Sequence, residues 1–492
     1  MAVSRNKVIR ASAVNVGSNM VLKVLTLGQN ILFARIFLPD QIGTLAAALL
    51  VLQFFSMFTK MGFNESVVRD REAPEKVLDT ALTLSLSIGL GLMTIIFVTA
   101  PWVARLMHVP EGTVDVAAVL AERTTVIRVL SVMVLQFTLE LPNAMWIRRY
   151  NFAAARVGHV VDVLIATSLA MLLYFQFELG AWALFYGKLG GFAAKVLAIW
   201  IIAPHRPKLG IDRAVAKKLY SFGWPLIVAA LGNYLIWEGD DWLVGAFHGT
   251  EQLAFYVVAF AFPFYIKGFA DVLISSLLPT YSELQDSSER VAVAFEEANR
   301  YLSIMLVPVT FGLFALAEPF IQLVYGEKWI PAILPLKLFA IGFTIEITAG
   351  YSWGILALAR GKTKYLMYMR LWITSYLMTV GAWLIWTYGI VGGALYTLTQ
   401  AVLTVCLVRP WILYRELGRM KYLRQSVPPV LAALGAGLPT ALWVAPEVDN
   451  LGLLAAAAAG YGLLYAVIYV VLDRSIVRDS RKILGALLGR KS

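Results

Sequence analysis

The sequence is poor in the residues that bind metals or form disulfides. It contains a single cysteine, Cys406, which excludes an internal disulfide and a cysteine-based metal cluster. Its four histidines are scattered and show no metal-ligand spacing. The pattern G-x-x-x-x-G-K-[ST] is also absent, which excludes ATP hydrolysis by a phosphate-binding loop of that kind. We therefore predict no metal site, no bound cofactor and no catalytic residue.

Charged residues are also scarce. They make up 15% of the 492 residues, whereas 59% are hydrophobic and the mean hydropathy is +0.72. Soluble globular proteins carry about 25% charged residues, so this composition predicts an integral membrane protein. Apolar runs long enough to cross a bilayer core of about 30 Å as helices recur along most of the chain. The alternating pattern of a membrane β-barrel is absent.

We predict about fourteen membrane-spanning helices. The predicted spans are 11–34, 41–63, 80–106, 124–146, 152–177, 180–203, 218–247, 252–279, 298–325, 329–358, 364–387, 390–414, 427–446 and 451–472. The basic N-terminal segment is interrupted by Asn15, Asn19 and Lys23 and has no small-residue cleavage site. We interpret it as part of the first span and not as a removed signal peptide.

Arginine and lysine crowd alternate loops and account for the net charge of +11. The crowded segments include "RRYNFAAAR", "HRPKLGIDRAVAKK", "ARGKTK" and "YRELGRMKYLR". Because basic loops remain in the cytoplasm, this pattern predicts that both termini are cytoplasmic. The positive charge is thus assigned to topology and to contact with anionic membrane lipids, and not to nucleic acid.

The sequence matches itself at a shift of 211 residues, the separation between Gln41 and Gln252. The segment "PDQIGTLAAALL" (39–50) then lies over "TEQLAFYVVAFA" (250–261), and "LGAWALFY" (179–186) lies over "IVGGALYT" (390–397). One common shift across distant segments predicts an internal repeat. With an even number of spans in each repeat, the two copies share one orientation, as in transporters built from parallel repeats.

We therefore predict an all-α integral membrane protein with two lobes of about six helices each. The predicted lobes are 1–210 (spans 1 to 6) and 211–420 (spans 7 to 12). Residues 421–492 would hold spans 13 and 14 and a basic cytoplasmic tail.

Several segments resemble the Wzx-type oligosaccharide flippases of the multidrug/oligosaccharidyl-lipid/polysaccharide exporter superfamily, which also contains the MATE transporters. They are "ARIFLPDQIGTLAAALLVLQFFSMFTKMGFNESVVR", "LPNAMWIRRYNF", "FGWPLIVAALGNYLIWEGDDWLVGAFHGTEQLAFYVVA", "LISSLLPTYSEL" and "LAEPFIQLVYGEKWIPA". The likeness covers spans 1 to 12. It is a pattern of loosely specified positions and contains no catalytic signature.

The resemblance implies a MATE-like flippase of the bacterial cytoplasmic membrane. Such a protein moves an undecaprenyl-pyrophosphate-linked sugar repeat unit to the periplasmic leaflet by alternating access of two lobes around a cationic cavity. It would work beside a polysaccharide polymerase and a chain-length regulator. Two additional helices are usual in this branch and in the peptidoglycan-precursor flippases, whereas the drug exporters typically stop at twelve.

An ionised side chain at a helix centre costs about 3 kcal/mol of insertion free energy, so such residues normally face a partner or a wet cavity. The predicted spans contain the cations Lys23, Lys60, Arg128, Lys188, Lys195, Lys267, Lys337 and Arg370 and the acids Glu140, Asp162, Glu238, Asp240, Asp241, Asp271, Glu318 and Glu346. We predict that four cations hold the pyrophosphate and any acidic sugar through charge-assisted hydrogen bonds: Lys23, Arg128, Lys267 and Lys337. The alternative for Arg128 and Lys337 is snorkelling to the membrane interface.

The repeat also suggests a gate. The shift places Asp271 at the position of Lys60, near the cytoplasmic ends of spans 8 and 2. We predict that these two side chains meet, directly or through substrate, when the inner mouth closes. The alternative is that Asp271 pairs with Lys267 one turn away on its own helix. Asp162 and Lys195, on neighbouring spans, are predicted to form a structural ion pair.

Span 7 carries three acids within "YLIWEGDDWLVG" (234–245), near its outer end. At about 100° per residue, Glu238 and Asp241 lie about 60° apart, whereas Asp240 points elsewhere. The shift places Asn30 at the position of Asp241. We predict that Glu238 and Asp241 form a cavity-facing pair that binds protons or sodium, with Asn30 as its neutral counterpart, and that Asp240 is structural.

Three transporter functions remain open. They are a polysaccharide-unit flippase, a peptidoglycan-precursor (lipid II) flippase and a MATE-like drug or cation antiporter. The candidate cavity positions hold more lysine and arginine than acid, which favours an anionic lipid-linked sugar over a cationic drug. A membrane glycosyltransferase or polymerase is disfavoured because the loops between the spans are short.

Overall fold

The computed structural model describes residues 5–70, 72–417 and 421–475, and these residues form helices with no strand among them. The first ten helices are α1 (Arg5–Ile36), α2 (Pro39–Lys60), α3 (Phe63–Arg69), α4 (Pro74–Leu106), α5 (Val116–Leu130), α6 (Gln136–Leu139), α7 (Asn143–Arg148), α8 (Phe152–Phe175), α9 (Ala181–Ile202) and α10 (Arg213–Ser275). The remaining ten are α11 (Leu278–Glu283), α12 (Ser288–Ala315), α13 (Ala317–Phe320), α14 (Ile333–Thr348), α15 (Trp353–Ala359), α16 (Thr363–Tyr376), α17 (Ala382–Leu403), α18 (Arg409–Leu417), α19 (Lys421–Pro439) and α20 (Leu451–Leu472). The predicted all-helical class is confirmed.

Two long helical stretches are broken at glycines. Gly249 interrupts α10 with φ 86° and ψ −179°, and Gly389 interrupts α17 with φ 62° and ψ −137°. A positive φ costs glycine little because it has no Cβ, so these residues permit a kink in each helical stretch. The breaks fall where the sequence predicts the boundaries between spans 7 and 8 and between spans 11 and 12.

Ten helical stretches among the described residues are long and apolar enough to cross a membrane, by length and composition. Two of them, Arg213–Glu283 and Thr363–Leu417, are 71 and 55 residues long, and each contains one of the glycine breaks. A bilayer core of about 30 Å needs about 20 helical residues, so each of these stretches is long enough for two crossings. The helices are consistent with about fourteen spans.

The described residues pack as two compact units, which divide between Ala254 and Phe255. The predicted lobe boundary at residue 210 stays a prediction that rests on the repeat. In the first unit, α8 and α9 pack closely because small residues face each other. A Cβ built on Gly187 would lie 2.6 Å from the Cβ of Ala170, and one on Gly191 would lie 2.6 Å from the Cβ of Ala166. Any larger residue at either glycine would force these two helices apart.

The second unit contains a buried polar centre at Asn299 on α12. Its Oδ1 accepts from the amide of Gly350 at 2.9 Å, and its Nδ2 donates to Ser426 Oγ at 2.8 Å and to the carbonyl of Thr348 at 3.2 Å. The side chain is fully buried, so these bonds offset the cost of removing the amide from water. They tie α12 to α14 and to α19, the first of the two C-terminal helices.

Candidate functional site

The acidic segment of span 7 lies in the part of α10 that precedes the break. Asp240 is buried, whereas Glu238 and Asp241 are half-buried. Neither Glu238 nor Asp241 forms an ion pair with a cation of the described residues. The described residues also contain no group of three or more His, Cys, Asp or Glu side chains arranged to hold a metal ion. Glu238 and Asp241 are therefore partly buried acids that lack a cationic partner in this part of the chain.

Tyr234 and Trp242 hold this acidic segment in place within the first unit. The Tyr234 hydroxyl donates to the main-chain carbonyl of Leu50 on α2 at 2.7 Å. The same oxygen accepts from the indole Nε1 of Trp242 at 2.5 Å. Because Tyr234 and Trp242 flank the three acids, these bonds fix the helix on which the acids stand.

The break at Gly249 is followed by a polar contact that the sequence analysis missed. The Thr250 hydroxyl donates to the carboxylate of Asp40 at the start of α2 and accepts from Arg123 Nη2 at 2.7 Å. Arg123 also donates from Nη1 to the carbonyls of Met107 and His108, at 3.2 and 3.3 Å. One buried guanidinium therefore joins three segments at the predicted outer end of the first unit.

In the second unit, Lys267 lies beside Glu346 on α14. The Lys267 ammonium is 3.8 Å from Glu346 Oε2 and 5.5 Å from the centre of the Phe343 ring. Arg409 approaches the other carboxylate oxygen at 3.4 Å and donates to the main-chain carbonyl of Glu346 at 2.7 Å. Glu346 thus shares its charge between two cations. Lys267 is the more exposed of the two, with 22% of its side chain accessible against 5% for Arg409.

Asp271 lies one turn beyond Lys267 on α10 and accepts a hydrogen bond from the Tyr351 hydroxyl at 3.1 Å. The shift of 211 residues maps Asp271 onto Lys60 and Tyr351 onto Glu140 in the first unit. Lys60 is exposed, and its ammonium lies 5.5 Å from the centre of the Phe137 ring. Lys60 and Asp271 belong to different units, and the gate between them stays a prediction.

Glu140 takes part in a buried ion cluster with α8 and α9. The Lys195 ammonium lies 2.9 Å from Glu140 Oε1 and 3.3 Å from Asp162 Oδ2, and only 3% of the Lys195 side chain is exposed. The predicted ion pair between Asp162 and Lys195 is confirmed. Glu140, which the sequence did not predict as a partner, completes the cluster, and His159 Nε2 lies 3.7 Å from the second Glu140 oxygen.

The predicted α1 residues lie near a second buried cation. Lys23 and Asn30 are both half-buried on α1. The neighbouring Gln29 accepts from the Lys188 ammonium at 2.8 Å and donates to Thr167 Oγ1 at 2.8 Å. This network ties α1 to α8 and α9. It places Lys188, which was not among the predicted site cations, beside Gln29, the residue that precedes Asn30.

The two outer-end cations have local partners. Arg128 donates from Nε to the carbonyl of Phe97 at 3.1 Å, and its guanidinium lies 5.1 Å from the centre of the Phe97 ring. The Lys337 ammonium is 4.0 Å from Glu318 Oε2, beside a cavity of about 160 Å³ that both residues line. Arg128 therefore packs on α4, whereas Lys337 faces open space in the second unit.

The predicted site residues are thus distributed over both units. Lys23, Asn30, Lys60, Arg128, Glu238 and Asp241 lie in the first, and Lys267, Asp271 and Lys337 lie in the second. Within the second unit, Lys267 and Asp271 stand on one face of α10 with Tyr351 and Glu346 opposite. One signal could have identified Tyr351 in advance, because the repeat shift carries Glu140, an intramembrane acid, onto it.

Sequence comparison connects the chain to polysaccharide biosynthesis. A protein-family model described as "Polysaccharide biosynthesis protein" matches residues 32–334. The succinoglycan biosynthesis transport protein ExoT of Rhizobium meliloti is 24% identical over 94% of each chain. The lipopolysaccharide biosynthesis protein WzxC of Escherichia coli is 21% identical over 68% of this chain and 67% of its own.

Solved structures show where the fold recurs. The lipid II flippase MurJ in an inward closed conformation has a TM-score of 0.77 at 13% identity, and the similarity covers 94% of this chain and 100% of MurJ. An inward-facing multidrug resistance MATE family transporter of the MOP superfamily has a TM-score of 0.64 at 14% identity, over 82% of this chain and 98% of its own. At these identities the likeness establishes the fold, and the predicted MATE-like class is confirmed.

Proposed function

The chain belongs to the polysaccharide biosynthesis protein family, and on this premise we propose that it flips undecaprenyl-pyrophosphate-linked oligosaccharide repeat units from the cytoplasmic to the outer leaflet. The transported unit would serve the synthesis of O-antigen, capsule or exopolysaccharide. The observation that carries the proposal is the match to ExoT over 94% of both chains, because that relative is named as a polysaccharide transport protein. The family match over residues 32–334 supports it.

The substrate would be held by cations that stand within membrane-spanning helices. Lys267 is suited to this role because it is partly exposed, whereas Arg409 remains to neutralise Glu346 when the ammonium turns to a phosphate. Lys337 is also suited to this role, since its partner Glu318 is 60% exposed and 4.0 Å away. Lys23 and Arg128 would contribute from the first unit.

Transport would proceed by alternating access, with a proton or sodium ion as the coupling ion. Glu238 and Asp241 are the proposed ion-binding pair because they are half-buried acids without a cationic partner among the described residues. An uncompensated carboxylate in such a place is stabilised by a proton or a bound cation. Lys60 and Asp271 are the proposed gate, and Asn30 is the neutral counterpart of Asp241.

The proposal makes the protein a secondary transporter and not an enzyme. It places the chain in the bacterial cytoplasmic membrane with both termini in the cytoplasm, as the basic loops indicate. Its partners would be the lipid-linked substrate, membrane lipids, a polysaccharide polymerase and a chain-length regulator.

A second candidate is transport of the peptidoglycan precursor lipid II. The observation that favours it is the structural similarity to the lipid II flippase MurJ, which covers 94% of this chain and all of that one. The two candidates share a polyprenyl-pyrophosphate anchor and differ in the sugar. A transport assay with both lipids therefore separates them.

The decisive experiment uses the full-length protein in vesicles that contain a fluorescent undecaprenyl-pyrophosphate glycan. We expect leaflet transfer above that of protein-free vesicles, measured by quenching of the label from outside. A parallel assay with fluorescent lipid II should show slower transfer. The absence of transfer for both lipids would sink the proposal, and faster transfer of lipid II would favour the second candidate.

A further inference from the structure

A polar cavity of about 200 Å³ opens within the first unit, and none of its lining residues belongs to α10. Its polar lining comes from four helices and the residue at the end of α6: Asn15, Asn64, Glu140, Asn143, Arg156 and His159. Cavities that merely result from imperfect packing are lined by apolar groups, because burying polar groups without partners costs free energy. The concentration of polar side chains here needs an explanation.

Two amide oxygens at this cavity accept no hydrogen bond from the described residues. Asn143 is only 7% exposed, and neither its Oδ1 nor the buried Oδ1 of Asn64 accepts a hydrogen bond from any described residue. An unsatisfied buried acceptor costs about 1–3 kcal/mol. Asn299 in the second unit shows the contrast, because its Oδ1 and Nδ2 both have partners. Asn143 is therefore placed to bind something that enters the cavity.

The Glu140 carboxylate, which lines the cavity, is held in position by neighbouring side chains. Lys195 binds Glu140 Oε1 at 2.9 Å and is itself shared with Asp162 at 3.3 Å. His159 lies 3.7 Å from the other Glu140 oxygen. This arrangement fixes the orientation of the acid and leaves it facing the cavity that it lines. Arg156, one turn before His159 on α8, forms no ion pair with the described residues and supplies a donor to the same space.

The chemistry of this lining distinguishes between ligand classes. A phosphate would require donors alone and would be repelled by Glu140. A metal or ammonium ion would require acceptors alone and would be repelled by Arg156. A sugar hydroxyl both donates and accepts, so a ring that carries several of them matches a lining that mixes carboxylate, amide, imidazole and guanidinium groups. Phe152 adds an apolar surface against which the ring can pack.

We propose that this cavity binds one sugar residue of the lipid-linked substrate, with Asn143, Glu140 and Arg156 as its hydrogen-bonding groups. The inference rests on the proposed function and adds a subsite that binds the sugar. This subsite is separate from the cations that hold the pyrophosphate. The cavity stands where α7 ends and α8 begins, next to the basic segment "RRYNFAAAR" that predicts the cytoplasmic side. The sugar would therefore be bound at the level where the substrate enters.

The test compares two lipids on the full-length protein in nanodiscs. One is a fluorescent undecaprenyl-pyrophosphate glycan, and the other is undecaprenyl pyrophosphate without sugar, used as a competitor. We expect Asn143→Ala and Arg156→Gln each to weaken glycan binding about tenfold, the size of one or two lost hydrogen bonds. Binding of the sugar-free lipid should stay unchanged. Asn233→Ala, at an exposed position on α10, is the matched control and should affect neither lipid.

The outcomes separate this subsite from the proposed function. Equal weakening for both lipids, or no weakening for either, overturns the subsite while wild-type glycan transfer continues to support the function. A wild-type protein that neither binds nor transfers the glycan overturns both. Folding is checked by thermal unfolding: Asn143→Ala should keep the wild-type melting temperature because its Oδ1 accepts no hydrogen bond from the described residues, whereas Asn299→Ala should lower it.

Discussion

The Tyr234 hydroxyl on α10 donates to the main-chain carbonyl of Leu50 on α2 across 2.7 Å. This bond is the middle of an antiparallel contact between the two helices. At one end, a Cβ on Gly223 would lie 2.6 Å from Cγ of Met61, and at the other the backbone of Gly43 touches that of Thr250. The N-terminal part of α10 therefore packs along α2, which joins the acidic segment to the rest of the first unit.

Replacing Tyr234 with phenylalanine tests this contact. The variant keeps the ring but removes the side-chain donor to the Leu50 carbonyl and the acceptor for Trp242 Nε1. We expect a loss of about 1–2 kcal/mol in the free energy of unfolding, seen as a lower melting temperature in detergent. Tyr220→Phe, at an exposed position on the same helix, is the control. Equal melting temperatures for the two variants would mean that the bond does not hold α10 on α2.

Lys195→Met should be strongly destabilising. It leaves the buried Glu140 and the half-buried Asp162 without their shared cation, and breaking a buried ion pair in this way costs about 3–5 kcal/mol. We expect little folded protein in fluorescence-detected size-exclusion chromatography. Adding Glu140→Gln and Asp162→Asn to the same chain should recover folded protein, because the uncompensated charges are then gone. If the triple variant folds no better than Lys195→Met, then lost packing and not charge explains the defect.

Asp241→Asn should uncouple transport from the ion gradient. The substitution keeps the shape of the side chain and removes its charge, so it can no longer exchange a proton or sodium ion. We expect glycan transfer in vesicles to lose its dependence on an imposed proton or sodium gradient. Asp240→Asn is the matched control, because Asp240 is buried and predicted to be structural. Unchanged gradient dependence in Asp241→Asn would rule out its coupling role.

Lys267→Gln should weaken binding of the pyrophosphate. Loss of a charge-assisted hydrogen bond costs about 1.5–3 kcal/mol, which corresponds to an affinity lower by about tenfold to a hundredfold. The fold should survive because Arg409 still neutralises Glu346. Lys362→Gln is the control, since Lys362 pairs with Glu416 elsewhere in the unit. The measurement is binding of sugar-free undecaprenyl pyrophosphate, and equal affinities for both variants would remove Lys267 from the site.

The ion pair between Lys76 and Asp212, in the loop before α10, should contribute stability that is lost in acid. Lys76 donates to the Asp212 carboxylate at 2.6 Å and, with the amide of Val215, lowers the pKa of Asp212 from 3.8 to about 2. Because the folded pKa lies below the ordinary value, the stabilisation is complete above pH 3.8 and is lost as the pH falls towards about 2. We expect Asp212→Asn to melt below wild type at neutral pH and to converge with it in acid. A constant difference across this range would contradict the assignment.

The sequence predicts the span boundaries well where local chemistry sets them. The last predicted span, 451–472, coincides with α20, which begins after Asn450 because the asparagine side chain accepts from the amide of Leu453. Gly249 and Gly389 likewise mark the breaks because only glycine adopts their positive φ readily. The pairing of charges is harder to predict. Asp162 with Lys195 is confirmed, but Glu140 joins them from a distant helix, and no spacing in the sequence contains that information.

The sequence by itself determined that this protein is an all-helical membrane protein and indicated its family. Hydropathy, basic loops and turn glycines are local patterns, so they can be recognised without the tertiary structure. It also predicted which ionisable groups lie within membrane spans. Such groups are easy to recognise because their high insertion cost makes them rare in apolar segments. Only the tertiary structure decided which of them are neutralised: Lys195 by two acids, Glu346 by two cations, and Glu238 and Asp241 by none of the described cations. Coulomb energy depends on separation in space, and that separation is set by helix packing.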